Sequence, residues 1–169
     1  MSDVTLTVPQ WIARMDKRAR ETVPQLQKAL ETGAAKAIPI LQRATQNAEP
    51  PNPEGIGEGG AFDTGNYQRR WQAIPIANGV RVTNTAPYSG IIEDGRRPDS
   101  RFPPLAVIAR WAMRRLHLSA KEAKSAAFPI AQSIARRGLK ARRVLGNASD
   151  EIKRAINDEL QKVLEGAWL

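Results

Sequence analysis

The chain has 169 residues, of which 41% are hydrophobic and 25% are charged, as is typical of one globular domain with a real core. It contains no cysteine, which excludes disulfides and thiolate metal sites. No apolar stretch approaches the ~18 residues of a membrane span, and no signal peptide is visible, so we expect synthesis in the cytoplasm and no membrane partner.

The net charge of +9 is unevenly distributed. The stretch from Arg96 to Arg143 carries 13 Lys and Arg residues against Asp99 and Glu122, a net charge of +11 that leaves −2 for the rest of the chain. Such a block indicates a face turned towards a polyanion or an acidic partner. A solvated helical surface is an equally acceptable interpretation of the charge alone.

A long N-terminal helix is predicted from Pro9, a good first-turn residue, to about Thr45. Pro24 and Pro39 predict either a kinked helix or two or three consecutive ones. The apolar stripe is typical of a core or a subunit contact rather than a ligand site. It includes Ile12, Met15, Ala19, Val23, Leu26, Leu30, Ala34, Ile38 and Leu41.

Residues 47–61 are rich in proline and glycine and have no periodicity, which predicts a flexible loop within a single domain. In an assembling protein this loop would become ordered only against a neighbour. Gly55, Gly57 and Gly60 match a dinucleotide-binding pattern, but prolines precede them and the strand–turn–helix context is absent. We therefore predict no cofactor there.

A β-hairpin is predicted at about residues 69–85. Arg69–Ala77 and Val80–Thr85 are strand-like, and Asn78-Gly79 between them suits a type I′ turn. Pro75 indicates an edge position or a bulge. With the flanking helices, the hairpin predicts an α+β fold in which a small antiparallel sheet packs against the N-terminal helix and the C-terminal helices.

Helices are predicted again after the hairpin. A short one over 87–95 would carry Tyr88, Ile91 and Ile92 inward and end at Gly95. The next covers Leu105–Leu116, with Arg110, Arg114 and Arg115 opposite its apolar face. A capping box of Ser119 and Glu122 begins another helix, which Pro129 bends or restarts and Gly138 ends, and Ser149 is predicted to cap the last one.

The motifs with catalytic precedent are weak. Asp63-Thr64-Gly65 matches the aspartic protease triplet, but the helical context favours an Asx-type turn in which Gly65 takes the unusual dihedral angles. His117 is the sole histidine, so it has no second imidazole for a metal site and no nucleophile elbow nearby. We predict no catalytic residue, no metal ligand and no enzymatic activity.

The order of motifs resembles the neck and tail-completion proteins of tailed bacteriophages, a group that includes the minor tail protein Z type. The resemblance rests on Asp63-Thr64-Gly65, the basic-aromatic strand, Asn84-Thr85-Ala86-Pro87-Tyr88, Ile91 to Arg96 and Pro103-Pro104. It covers roughly residues 5–145 and depends on order and spacing rather than on any single piece.

This resemblance implies a virion structural protein at the head–tail junction, made in the host cytoplasm. It would assemble as a homo-oligomeric ring, a hexamer, around the DNA channel and contact head-closure, tail-terminator or tail-tube proteins. The hairpin edge and the 47–61 loop would join subunits. The interface residues expected on this basis are Arg69, Arg70, Trp71, Tyr88, Glu93, Asp94, Arg96, Arg97, Phe102 and Trp111.

The second class of function is a basic accessory protein that binds nucleic acid without sequence preference. Its contacts, which would equally suit an acidic protein partner, are Arg110, Arg114, Arg115, Arg142 and Arg143. Arginine pairs with phosphate through two hydrogen bonds, but no helix-turn-helix or other reading motif is visible. Contact with DNA in a channel would therefore involve the backbone only.

Overall fold

A computed structural model describes residues 7–48, 64–77 and 79–168, and in them the predicted α+β fold is confirmed. Residues 49–61 of the predicted loop, Asp63 of the triplet and Asn78 of the turn lie outside this range. In chain order the elements are α1 (Val8–Asn47), α2 (Asn66–Arg69), β1 (Trp71–Ile76), β2 (Gly79–Asn84), α3 (Ser89–Asp94), α4 (Leu105–Arg115), α5 (Ala120–Arg137) and α6 (Val144–Trp168).

The chain divides into two compact units. Unit 1 comprises Met1–Leu41, Trp71–Asn84 and Ala148–Leu169, and unit 2 comprises Gln42–Arg70 and Thr85–Asn147. Each of α1 and α6 therefore contributes residues to both units. The prediction of a single domain remains a prediction.

The core of unit 1 is formed by α1 and α6. Ala34, Ala37 and Leu41 of α1 are buried, as is Ile152 of α6. Small residues let the two backbones approach closely, because a Cβ added to Gly33 would lie 2.8 Å from the Cα of Ile156. Pro24 and Pro39 both lie inside α1, which nevertheless remains one helix of 40 residues.

The hairpin of unit 1 has a continuous antiparallel register from Trp71↔Asn84 to Ile76↔Gly79. Gly79 is therefore the first residue of β2 and pairs with Ile76, so the prediction that it is a turn residue is wrong, while Asn78 lies outside the described residues. Cross-strand pairing such as Ala73↔Val82 outweighs the local turn preference. The register also contains no bulge, so Pro75 takes an edge position.

The core of unit 2 is built on the α4–α5 pair. Ala123, Ala127, Ala131 and Ala135 of α5 are buried at every fourth position, which forms one continuous small-residue face. The predicted capping box at the start of α5 is confirmed, since the Ser119 hydroxyl accepts from the Glu122 amide. Pro129 does not restart the helix, and the predicted end at Gly138 is confirmed.

The start of α6 differs from the prediction. Ser149 lies inside the helix, which begins five residues earlier at Val144. The reason is a distant capping group: the Glu93 carboxylate accepts from the Leu145 amide at 3.1 and 3.2 Å. A residue 52 positions away thus caps the first turn of α6, upstream of the turn that Ser149 was expected to cap.

The helix before this cap, α3, ends at Gly95 as predicted. Its side chains are placed differently from the prediction, because Tyr88 is 38% exposed and Ile91 is 42% exposed. Neither of them is an inward-facing core residue.

Candidate protein-interaction site

Two glycines organise the basic part of unit 2. Gly95 ends α3 and Gly138 ends α5, and each has a positive φ, of 76° and 75°. The next residues, Arg96 and Leu139, form an antiparallel bridge in which each amide donates to the other's carbonyl at 2.8 Å. We call Gly95, Arg96, Gly138 and Leu139 the glycine clasp. It places the basic segments 96–101 and 136–143 side by side.

The glycine clasp has no room for side chains at its two glycines. A Cβ on Gly95 would lie 2.4 Å from the Leu139 carbonyl oxygen, and one on Gly138 would lie 2.2 Å from the Arg96 carbonyl oxygen. Both glycines also have ψ near −160°, in a region that is essentially restricted to glycine. The sequence predicted both glycines as helix ends, but it did not predict their pairing, because they lie 43 positions apart.

A buried polar network lies beside the clasp. The Tyr67 hydroxyl donates to the Glu93 carboxylate at 2.8 Å, and the same carboxylate caps α6. Burial raises the pKa of Tyr67 above its usual range, and the hydrogen bond and charge of Glu93 raise it further. Glu93, expected at a subunit interface, therefore has a role inside this chain.

Two consecutive predicted contact arginines have unusual features, Arg142 in the burial of its side chain and Arg143 in its backbone angle. Atom Nη1 of Arg142 is buried and has no hydrogen-bond partner among the described residues. Burial lowers the pKa of Arg142, and the charge of Arg115 lowers it further. The following residue, Arg143, has φ = 48°, which is uncommon for a residue with a side chain.

Three of the five predicted DNA or acidic-partner contacts lie at the surface. Arg110 and Arg114 of α4 and Arg143 before α6 are exposed, whereas Arg115 and Arg142 are half-buried. The structure thus places Arg110 and Arg114 on the solvent side of α4 and brings Arg115 close to Arg142.

The predicted interface residues around the hairpin separate into exposed and buried ones. Arg69 and Arg70 are exposed, and their guanidinium groups donate to the Thr64 carbonyl and the Asn66 side chain at 3.1 Å each. Trp71 is only 5% exposed and packs within the chain. Of the others, Tyr88, Asp94, Arg97 and Phe102 are exposed, while Arg96 and Trp111 are half-buried.

An apolar groove runs between α4 and α5, and the sequence analysis did not predict it. Its volume is about 500 Å³, within the range of ligand-binding clefts. Six of its lining residues are apolar and two are cationic: Leu105, Ala106, Ala109, Met113, Ala120 and Ala127, with Arg110 and Lys124. The predicted apolar face of α4 (Leu105, Ile108, Trp111, Ala112 and Leu116) shares only Leu105 with the groove, whose other α4 residues include Ala106, Ala109 and Met113.

Aromatic side chains extend this surface beyond the groove. The rings of Phe102 and Phe128 lie 5.6 Å apart, and both residues are largely exposed. Phe128 directly follows the lining residue Ala127, and Phe102 lies three positions before the lining residue Leu105. Exposed aromatic, Met and Arg side chains are the composition of protein–protein interfaces rather than of catalytic sites.

The described residues contain no group of three or more His, Asp or Glu side chains placed to hold a metal ion. Within the same ranges, none of the helices is both long and apolar enough to cross a membrane. No family model, no curated protein and no solved structure matches the chain. What the site offers chemically is an apolar docking surface with cations at its rim.

Proposed function

We propose that this protein is a bacteriophage virion structural protein, a neck or tail-completion subunit that assembles into a ring joining the tail to the head. The observation that carries the proposal is the order of motifs from Asp63 to Pro104, which resembles that protein group. The proposal places the protein in the virion, next to head-closure, tail-terminator or tail-tube proteins.

Exposed apolar surface supports an assembly role. A soluble monomer rarely leaves large contiguous apolar patches in water. Here the α4–α5 groove, Phe102 and Phe128 are exposed in unit 2, and Ile74 and Ile76 of β1 are exposed in unit 1. Neighbouring subunits would cover these residues in a ring.

The hairpin supports the same role. Its sheet contains only two strands, so each strand has an outer edge that pairs with no other strand among the described residues. An unpaired edge is a template for a strand of another chain. In the proposed ring, strand addition at this hairpin would contribute main-chain hydrogen bonds between neighbours.

The deciding experiment is to locate the protein in purified particles. We expect a fixed copy number at the head–tail junction in electron micrographs, and separate filled heads and tails when its gene is deleted. Expression of the protein in trans should restore joined particles. Joined, infective particles without the protein would contradict the proposal.

A second candidate, a nucleic-acid-binding accessory protein, is favoured by the cationic surface of unit 2. Arg97, Arg110, Arg114 and Lys140 are all exposed there, and few acidic residues lie in the same segment. Affinity for duplex DNA in solution, combined with absence from finished particles, would favour this candidate over the ring protein.

A further inference from the structure

The first turns of α1 form a helical arm whose apolar side chains are largely exposed among the described residues. Val8, Trp11 and Ile12 are 71%, 54% and 49% exposed, and the first buried residue of α1 is Ala29. We call residues 8–23 the arm. Its apolar residues Val8, Trp11, Ile12 and Met15 follow the i, i+3, i+4, i+7 pattern of a helix that docks in a groove.

The arm is costly to leave in water. An isolated helix of this length is marginally stable, because helices in proteins gain most of their stability from packing an amphipathic face. An exposed tryptophan adds to the cost, since burying an aromatic side chain removes ~150–250 Å² from solvent. The arm therefore has the properties of a surface that another polypeptide covers.

The α4–α5 groove is an apolar surface of the kind that an amphipathic helix occupies. It is concave and predominantly apolar, and several of its lining residues, Leu105 and Met113 among them, are exposed. Small-molecule sites bury most of their ligand, whereas such an exposed lining suits a larger polypeptide. One chain thus carries a projecting apolar helix and an apolar groove of about 500 Å³.

A ring built from identical subunits needs two different complementary surfaces on each subunit. We propose that the arm of one copy docks in the α4–α5 groove of a second copy of this chain, with Trp11 and Ile12 as its anchors. This inference rests on the proposed ring function, for which it names the contact between subunits.

The charges are compatible with this contact. Residues 8–13 of the arm carry no charged side chain, so the cations Arg110 and Lys124 at the groove meet no opposing cation there. Asp16 lies one turn after Ile12 on the edge of the apolar stripe, where a carboxylate can pair with either cation. The basic side chains Arg14 and Lys17 lie away from the stripe at helical spacing, whereas Arg18, seven positions after Trp11, lies at its edge beyond the uncharged first turns.

The size of the contact predicts its strength. Trp11 would bury ~150–250 Å² and the three aliphatic anchors less each, so the contact on the arm is small. Stable interfaces bury ~1,200–2,000 Å², so one contact alone should be weak and concentration-dependent. A closed ring would strengthen it, because every subunit makes the contact twice.

The absence of native cysteine allows a direct test by disulfide cross-linking of the purified full-length protein. Trp11→Cys protein is mixed with Met113→Cys protein under mild oxidation. Two control pairs each change one member of this pair. The first replaces Trp11→Cys by Lys17→Cys, which lies on the opposite face of the arm, and the second replaces Met113→Cys by Val107→Cys, which is exposed on α4 outside the groove lining. We expect the first pair to form mixed dimers at least tenfold faster than either control pair.

Equal rates for the matched and control pairs would overturn the inference. So would a faster Trp11→Cys homodimer, which would indicate that arms pair with each other. A variant carrying both substitutions should form linked oligomers at high protein concentration, and cross-linked monomer alone would mean that the arm occupies the groove of its own chain.

A second measurement uses no cysteine. Sedimentation of Ile12→Asp protein should show at least tenfold weaker self-association than the natural chain, and Ile12→Leu should retain it. Unchanged association of Ile12→Asp would also contradict the arm contact. These tests use purified protein, so their outcome is separate from the location of the protein in particles. If the arm docks in the groove but the protein is absent from particles, the virion role is refuted and the arm contact stands.

Discussion

At the scale of single residues, long-range backbone contacts determine the geometry of the basic region. The glycine clasp joins the ends of two helices through one pair of hydrogen bonds between Arg96 and Leu139. Sequence patterns identified Gly95 and Gly138 as helix ends, because a C-terminal glycine is a local signal. They gave no indication that the two ends face each other, since that contact depends on tertiary packing.

Gly95→Ala and Gly138→Ala should each lower the free energy of unfolding by about 3 kcal/mol or more. A Cβ meets backbone oxygen at both positions, and the dihedral angles alone cost about 1–3 kcal/mol for other residues. Gly90→Ala is the matched control, because it lies in α3 with nothing within 4 Å of an added Cβ. Urea unfolding monitored by circular dichroism measures all three variants.

Equal stability of the Gly90 and Gly95 variants would contradict the role of the clasp. Should the clasp variants fail to fold, protease resistance of the Gly90→Ala protein prepared alongside them would show that the loss is specific to the position.

At the scale of elements, the sequence correctly predicted helix starts and ends that depend on neighbouring residues. It failed where a residue distant in sequence determines the start of a helix. The capping box of Ser119 and Glu122 lies within four residues and was predicted correctly. The start of α6 was misplaced at Ser149, because its capping carboxylate comes from Glu93. The α4–α5 groove escaped prediction for a related reason, since which apolar residues remain exposed depends on how two helices pack.

The α1–α6 pair of unit 1 includes an ionic contact that should respond to acid. Lys36 and Lys162 both donate to Glu159, each at 2.6 Å. The hydrogen bond from Lys162, followed by that from Lys36, holds the pKa of Glu159 below its usual value of 4.5. The contribution of this carboxylate to stability is therefore present above pH 4.5 and is lost as the pH falls through the lowered folded-state pKa.

Glu159→Gln should accordingly be less stable than the natural chain at pH 7, and the difference should shrink as the pH falls below 4.5. Thermal unfolding at several pH values measures this. Asp150→Asn is the control, because Asp150 and Lys153 form a largely exposed pair at 3.4 Å, which should contribute little at any pH. A Glu159→Gln deficit that stays constant with pH would refute the ionic explanation.

At the scale of the whole molecule, the charge distribution is the property that sequence alone established most directly. The net charge of +11 over residues 96–143 needs no structure, whereas the accessibility of each cation does. Arg110 and Arg114 are exposed and Arg115 is half-buried, so the three arginines that the helical pattern grouped together are not equivalent.

Binding to duplex DNA, if measured in solution, should be independent of sequence and steeply dependent on salt, because each phosphate contact releases a counterion. Arg110→Ala and Arg114→Ala should each reduce the slope of log affinity against log salt by about 1, uniformly across sequences. Arg20→Ala, exposed on α1, is the charge-matched control and should leave the slope unchanged. Tight sequence-selective binding that survives high salt would contradict this expectation.

The position of Pro75 limits how far strands of different copies can add to one another. The Thr85 amide donates to the Arg70 carbonyl at 3.0 Å, so Arg70 and Thr85 are a hydrogen-bonded pair. Pro75↔Val80 is five pairs further along the register and is therefore a pair without cross-strand hydrogen bonds, which directs the Pro75 nitrogen to the outer edge of β1. That edge lacks one donor, because proline has no N–H. The edge of β2 has no such gap. The β2 edge is therefore the side on which a strand of a neighbour would add, and continuous growth of the sheet into fibres, which needs both edges, is disfavoured.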